Sequence, residues 1–329
     1  MSQVCDPRFP NNVSSLSECS PEHGRVCAVV VAYHPDSGIG DRIRRIREEI
    51  AAVLVVDNGS NANAVAELSA MQRAGEIDLI LNESNEGIAS ALNRGMTWAR
   101  GRGFAWALTL DQDSIVYPGI LHAMQAIYAA SADPHRVAVI GAAYDHKSDS
   151  APLPDPKRVS AARGREVTVN ITSGSLTSLA GYSTIGAFRE EFFIDSVDQE
   201  FCLRARARGY IILASDVPLM THSLGDYERE RIFGLKIGHT NHSPLRRYYS
   251  SRNRLVLMRE YATREPRWIL DLCRRYVQDV VSVALFERRK REKLSAIVRG
   301  ALDAMRGRFG RYTVLEETPG ATSHGNRLA

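Results

Sequence analysis

The chain has 329 residues, 44% of them hydrophobic, which is enough to bury a large core and excludes global disorder. The formal net charge is only +4, and no run nears the roughly 20 apolar residues that a bilayer-spanning helix needs. The five cysteines (Cys5, Cys19, Cys27, Cys202, Cys273) are odd in number and lack a C-x-x-C pair, which excludes a zinc ribbon or disulfide framework and predicts a reducing, cytoplasmic setting.

Residues 1–24 are rich in Ser, Asn and Pro, carry no basic-then-apolar leader, and are expected to form a flexible tail. Val26 to Ala32 is a continuous, largely β-branched run, as in a strand buried on both faces. Ile39, Ile43, Ile46 and Ile50 then follow helical spacing. Ala52 to Val56 predicts a second strand, Ala62 to Ala74 a helix and Ile77 to Leu81 a third strand. Ile88 to Arg100 predicts a helix, Phe104 to Leu110 a strand, Pro118 to Ser131 a helix and Val137 to Ile140 a strand. Asp145 to Arg163 reads as a loop, Val167 to Thr172 as strand-like, and Ser196-Val-Asp-Gln199 as a capping box that starts a helix running to about Arg208. Ile211 to Met220 is a further strand, and Leu245 to Arg308 reads as helices. Repeated βα units predict an α/β fold with a largely parallel sheet and right-handed crossovers.

Crossover strands place their C-terminal ends on one sheet edge, where ligands of α/β proteins bind. Polar residues gather there: Tyr33 after the first strand, Asp57 after the second, Asn85-Glu86-Gly87 after the third. The fourth strand ends in Asp111-Gln112-Asp113. Two carboxylates one residue apart suit a hard divalent cation, but turn and helix-capping roles before Pro118 suit them too. No G-x-G-x-x-G follows the first strand and no G-x-x-x-x-G-K-[ST] occurs anywhere, so a metal would carry more of any phosphate neutralisation.

Four segments in order carry a family resemblance. They are Val29-Val-Val-Ala-Tyr33, Val55-Val-Asp57-Asn58-Gly59-Ser60, Asn85-Glu-Gly87-Ile-Ala-Ser-Ala-Leu-Asn93-Arg-Gly95 and Leu110-Asp111-Gln112-Asp113-Ser114. The set resembles the inverting GT-A glycosyltransferases of family 2. Phe192-Phe-Ile-Asp195-Ser-Val-Asp198-Gln-Glu200 and Asn241-His-Ser-Pro-Leu-Arg-Arg-Tyr-Tyr-Ser-Ser-Arg252-Asn253 are similar to bacterial rhamnosyltransferases that use dTDP-L-rhamnose.

The resemblance implies a GT-A fold, Rossmann-like, with a mostly parallel sheet flanked by helices and a C-terminal helical extension. It divides the chain into a catalytic domain at 25–240, whose nucleotide-sugar half is 25–145 and acceptor half 146–240. A basic helical extension follows at 241–312, then a flexible tail at 313–329. It implies that Tyr33 and Asp57 hold the thymine and its ribose, that Asn85 to Gly87 line the nucleotide pocket, and that Asn93 shapes its helix. Asp111 and Asp113 would bind the donor through Mg2+ or Mn2+, with His222 as a further metal or diphosphate contact. Arg252 would contact the diphosphate, and Ser173 and Gly174 the acceptor.

Asp198 would be the catalytic base. Independently of the resemblance, Asp198 falls in the first turn of its expected helix. There the dipole favours an ionised carboxylate, and dipole stabilisation by itself also accounts for Asp198 and Glu200. Many family 2 enzymes carry Glu-Asp at the base position, and here the pair is Val197-Asp198, which leaves open whether Asp195 or Glu200 assists.

The C-terminal part holds the charge asymmetry. Arg246 to Arg311 contains 18 Lys/Arg against 7 Asp/Glu, and the rest of the chain 24 against 31. An apolar stripe from Trp268 to Leu285 precedes Arg288-Arg-Lys-Arg291. This fits either a helix packed on the catalytic domain or an interfacial helix at the inner face of an anionic membrane. Without interleaved stacking aromatics or a binding motif, nucleic acid is not an expected partner. The function expected is transfer of L-rhamnose to a cell-surface glycan or glycolipid hydroxyl. A rhamnolipid-forming enzyme and a family 2 transferase using another nucleotide sugar are the alternatives. A nucleotidyltransferase would want a Lys-rich phosphate loop after the first strand, and a non-catalytic scaffold would not need Asp198 together with both acids of the pair.

Overall fold

The computed structural model describes residues 20–146, 156–222, 228–232, 235–239 and 241–312. The two expected tails, apart from residues 20–24, and residues 147–155 of the expected loop at 145–163 lie outside the described residues; of the rest of that loop, Pro156–Ser160 is a short helix.

The N-terminal half alternates β1 (Val26–Ala32), α1 (Ile39–Glu49), β2 (Val53–Asp57), α2 (Ala62–Arg73), β3 (Asp78–Leu81), α3 (Ile88–Gly101), β4 (Trp106–Asp111), the short β5 (Ile115–Val116) and α4 (Ile120–Ala129). Next come β6 (Val137–His146), α5 (Pro156–Ser160), β7 (Gly164–Glu166), β8 (Ser175–Ser178), α6 (Leu179–Ile185), α7 (Val197–Ala207) and β9 (Ile211–His222). The ribbon β10 (Glu228–Ile232) and β11 (Leu235–His239) precedes three helices, α8 (Pro244–Tyr261), α9 (Pro266–Leu285) and α10 (Lys290–Arg306). Among the described residues no helix is long and apolar enough to cross a membrane.

One nine-stranded sheet runs β3-β2-β1-β4-β8-β6-β9-β5, with β7 also paired to β9. Strands β3, β2, β1 and β4 are mutually parallel, as expected from the βα repeats. In the other half β6 and β9 are parallel, whereas β8, β5 and β7 run antiparallel to their neighbours. Strand β1 shows why its run is continuous rather than alternating. Val26, Ala28, Val30 and Ala32 face one core with Ile39, Ile43 and Ile46 of α1. Cys27, Val29 and Val31 face a second core with Leu92 and Met96 of α3. Burying each valine or isoleucine is worth about 1.5–3 kcal/mol, so both faces hold the strand central. Gly95 lets α3 close on β1, since a Cβ there would stand 2.3 Å from Val29 Cγ1.

Three local expectations are corrected. Val167 to Thr172 is not a strand. Its carbonyls are taken by side chains instead: Thr109 Oγ1 donates to Thr172 O at 2.6 Å and Ser175 Oγ to Ile171 O at 2.6 Å. Helix α4 starts after Pro118, because Gly119 adopts φ +84° and turns the chain into the helix. The capping box at Ser196 does not form. Ser196 has φ +63° and its side chain caps nothing, while Asp198 Oδ1 accepts the N–H of Gln199 at 2.8 Å.

The three C-terminal helices are not a free appendage. Val256, Leu257 and Tyr261 of α8, Ile269 and Leu272 of α9 and Ala304 of α10 enter the same core as Phe201 of α7. Gly300 brings α10 against α8, where a Cβ would meet Tyr248 O at 2.3 Å.

Candidate active site

The C-terminal ends of β1, β2 and β4 frame a cleft lined by Tyr33, Asn58, Asn85, Gly87, Asp111 and Leu245. Hydrogen bonds between strand ends shape it. Asn58 Nδ2 donates to Asn85 Oδ1 at 3.1 Å, and Asn58 Oδ1 accepts from Asn82 Nδ2 at 2.9 Å and Glu86 N at 3.1 Å. Asp57 is fully buried. Its Oδ2 accepts the N–H of Ser60 at 3.0 Å, while Oδ1 has no partner. Asp57 itself does not line the cleft, though its neighbour Asn58 does. Gly87 is required at φ +86°, because a Cβ would stand 2.6 Å from Phe193 O, the acceptor of the Ile88 N–H.

Gln112 separates the two acids and turns away from them. Its Oε1 accepts the N–H of Tyr33 at 2.7 Å, and its carbonyl accepts from Arg42 Nε at 2.6 Å. Asp111 and Asp113 are thereby left to meet His222 at the end of β9. His222 Nε2 lies 3.7 Å from Asp111 Oδ2, and His222 Nδ1 lies 3.6 Å from Asp113 Oδ1. One ligand atom from each of the three residues lies within 4.8 Å of the others. Asp113 Oδ1 is buried without a hydrogen-bond partner. Burial pushes the Asp111 carboxyl up, with His222 opposing and Asp113 adding to the rise. Two carboxylates and an imidazole at this spacing fit a divalent cation such as Mg2+ or Mn2+, which would relieve both the repulsion and the unpaired oxygen. The pair is therefore more than turn chemistry.

Ser173 lies beneath this cluster. Its Oγ donates to no acid but receives the N–H of Asp111 at 3.1 Å and shares a hydrogen bond with Ser114 Oγ at 2.6 Å. Gly174 is a packing glycine at φ +75°, with Met220 Sδ 2.5 Å from where a Cβ would be.

Asp198 sits in the first turn of α7 and its carboxyl is pushed up to about 6. Burial is the main cause, the Gln199 N–H opposes it, and the charges of Asp195 and Asp111 add to it. Asp195 goes the other way. Burial works against its charge, but Arg246 and the more distant His242 and Arg254 hold the carboxyl below the usual range. Arg246 Nη2 lies 3.3 Å from Asp195 Oδ1.

Three expected site residues stand elsewhere. Asn93 is buried behind the cleft, its amide donating to Phe188 O and Glu190 Oε1 and its Oδ1 accepting from Tyr182 Oη and Phe188 N. Glu200 is buried against Arg204 and Tyr261. Arg252 is wholly enclosed, donating to the carbonyls of Glu191, Phe192 and Gly310. Its place is under the loop that precedes Asp198 rather than in the cleft.

Two residues were missed in the sequence. Asn253 Nδ2 donates to Phe192 O, Ile194 O and Asp195 O at 2.8–3.0 Å and so fixes the loop that leads into Asp198. Arg246 reaches Asp195, whereas Arg247 turns inward to Glu287. Nothing in the Arg246-Arg247 doublet distinguishes the two.

Four parallel strands continued by a mixed half-sheet, with the Asp111, Asp113 and His222 cluster at the ends of β4 and β9, are the architecture of a GT-A glycosyltransferase. The chain belongs to glycosyl transferase family 2, whose model matches residues 27–192, half of the sequence. It is 28% identical over 250 residues to the dTDP-rhamnosyl transferase RfbF of Shigella flexneri, covering 72% of this chain and 81% of that one. The fold is similar to the mannosyltransferase PcManGT of Pyrobaculum calidifontis, solved with GDP-Man and Mn2+ (TM-score 0.52, 13% identity, 85% of this chain and 87% of that one). It is also similar to S. aureus TarS (TM-score 0.51, 17% identity, 80% of this chain), of which it spans 44%.

Proposed function

We propose that the enzyme transfers L-rhamnose from dTDP-L-rhamnose to a hydroxyl of a cell-surface glycan or glycolipid, inverting the anomeric centre. The single observation that supports this chemistry is the raised Asp198 carboxyl near the Asp111, Asp113 and His222 cluster. The choice of donor rests on the similarity to RfbF.

Asp198 takes the proton of the acceptor hydroxyl as that oxygen attacks the anomeric carbon, and the nucleoside diphosphate leaves from the opposite face. A base with a pKa near 6 is ionised at neutral pH and still basic enough to help, an effect worth typically 10²–10⁴-fold. Tyr33 holds the thymidine, and Asp57 fixes the strand end beside it through its bond to the Ser60 N–H. Asn85 and Gly87 line the pocket, and Ser173 supports the acid pair from below. Asp111, Asp113 and His222 would hold Mg2+ or Mn2+, which supplies charge neutralisation at the leaving diphosphate.

A lipid-linked or rhamnolipid-type acceptor is the second reading, and one face of α9 supports it. Leu270, Val277, Val281 and Leu285 are exposed there, and Arg267 and Arg274 flank the groove around Leu270 and Val277. Asp271 offsets part of this charge by pairing with Arg274 and Arg275, and the remaining apolar stripe with its basic edge suits an anionic membrane surface.

The test is a panel of nucleotide sugars incubated with Mg2+ or EDTA, with products read by mass spectrometry. Transfer or hydrolysis of dTDP-L-rhamnose that EDTA suppresses is expected. Turnover of a different nucleotide sugar alone would overturn the donor assignment.

A further inference from the structure

The site gathers four carboxylates, those of Asp111, Asp113, Asp195 and Asp198, and under the proposed function it must also receive a diphosphate. A divalent cation offsets part of that charge, and a second cation beside the cleft would offset more. The basic extension is the obvious source, yet most of its first helix is committed. Arg247 and Lys293 both pair with buried Glu287, Arg252 is enclosed by backbone carbonyls, and Arg254 pairs with Asp279.

Arg246 differs in its position and in the geometry of its pairing. It follows Leu245, which lines the cleft, and its side chain remains 26% exposed. Its Nε and Nη2 both point at a single oxygen, Asp195 Oδ1, from 3.4 and 3.3 Å. Well-formed charge-assisted bonds are about 2.7–2.9 Å long and engage both carboxylate oxygens, so this pair is loosely seated. The charge of Arg246 is also felt at Asp111 on the opposite wall. The first turn of α8 adds the positive end of a helix dipole at the same place.

We propose that Arg246 is the protein cation that binds the donor's diphosphate, and that Asp195 is its resting partner in the absence of donor. The inference rests on the nucleotide-sugar reading above. A guanidinium fork can engage two phosphate oxygens at once, where it now reaches a single carboxylate oxygen. Arg252, by contrast, is a positioning residue for the loop before Asp198.

Calorimetric titration with dTDP and with thymidine, in buffer containing Mg2+, tests this on the wild type and on Arg246→Ala, Arg246→Lys and Asp195→Asn. Loss of charge-assisted bonds to the diphosphate should weaken dTDP binding roughly 10- to 100-fold in Arg246→Ala and leave thymidine binding unchanged. Arg246→Lys should recover part of the loss, and Asp195→Asn should bind dTDP at least as tightly as the wild type. Retention of the full preference for dTDP over thymidine in both Arg246 variants would overturn the proposal, as would a tenfold loss in Asp195→Asn. UDP and GDP are run in parallel. If the wild type binds none of the three diphosphates, the nucleotide-sugar reading itself fails and this inference with it.

Discussion

Gln112 reaches back from the end of β4 to accept the N–H of Tyr33 at 2.7 Å, tying together the ends of two paired parallel strands at the cleft. The residue between the two acids is thus a tie rather than a spacer. Without it the Tyr33 N–H loses its partner, at a cost of about 1–3 kcal/mol. Gln112→Leu should lower the urea midpoint accordingly and also weaken nucleotide binding, because Tyr33 lines the cleft. An unchanged dTDP affinity in a folded Gln112→Leu protein would show that Tyr33 is held by other means.

Asp198→Asn separates binding from chemistry. Transfer should fall by about 10²–10⁴-fold while dTDP affinity stays near wild type. In the wild type, kcat should decline as the pH drops through about 6, where the base becomes protonated. Transfer near the wild-type rate in Asp198→Asn would remove Asp198 from the mechanism.

The same carboxyl makes a stability prediction of definite sign. Its pKa rises from 3.8 to about 6 on folding, so the folded state favours the protonated form. The stabilisation from that proton is complete below pH 4 and is lost as the pH rises through 6. Asp198→Asn should therefore be more stable than wild type at pH 8, by on the order of 1–3 kcal/mol, with the gap closing near pH 4. Thermal melts across that range measure it, and a gap that widens at low pH would contradict the burial of Asp198.

For the metal cluster, Asp113→Ala and His222→Ala should abolish the rise in melting temperature that Mn2+ gives the wild type. Asp113→Ala should also stabilise the metal-free protein slightly, since it removes a like charge from beside Asp111. An intact Mn2+ shift in both variants would place the ion elsewhere.

Membrane association is tested by sedimentation with anionic and with zwitterionic vesicles. Wild type should pellet with the anionic vesicles, and Val277→Asp with Leu285→Asp should stay in solution while still hydrolysing donor. Absent or equal binding to both vesicle types would discard the membrane surface.

The first half of the fold was legible because its signals are local. The unbroken run of β1, the isoleucine spacing of α1 and the acids ending β4 all reflect burial or exposure along a single element. The antiparallel strand β8 was not legible, since four residues inserted between β4 and β6 carry no period of their own. Ser196 matched a capping box, but Phe193, Asp195 and Ser196 all adopt positive φ and turn the hydroxyl away from the helix. The site was legible as carboxylates at strand ends. Arg246, Arg252 and Asn253 were not separable by role, because one helix turn decides which of them faces the cleft and which faces the core.

Arg252 and Asn253 grip the carbonyls of Glu191, Phe192, Ile194 and Asp195, while Arg252 also holds Gly310. The segment leading into Asp198 is therefore braced by residues 50 or more positions later in the chain. The cleft is finished by the same late segment, since Leu245 closes its wall and Phe193 O anchors the Ile88 N–H. A chain cut before α8 would thus lose the donor wall and the brace of the Asp198 loop together, so partial products of this gene should neither bind nor turn over donor.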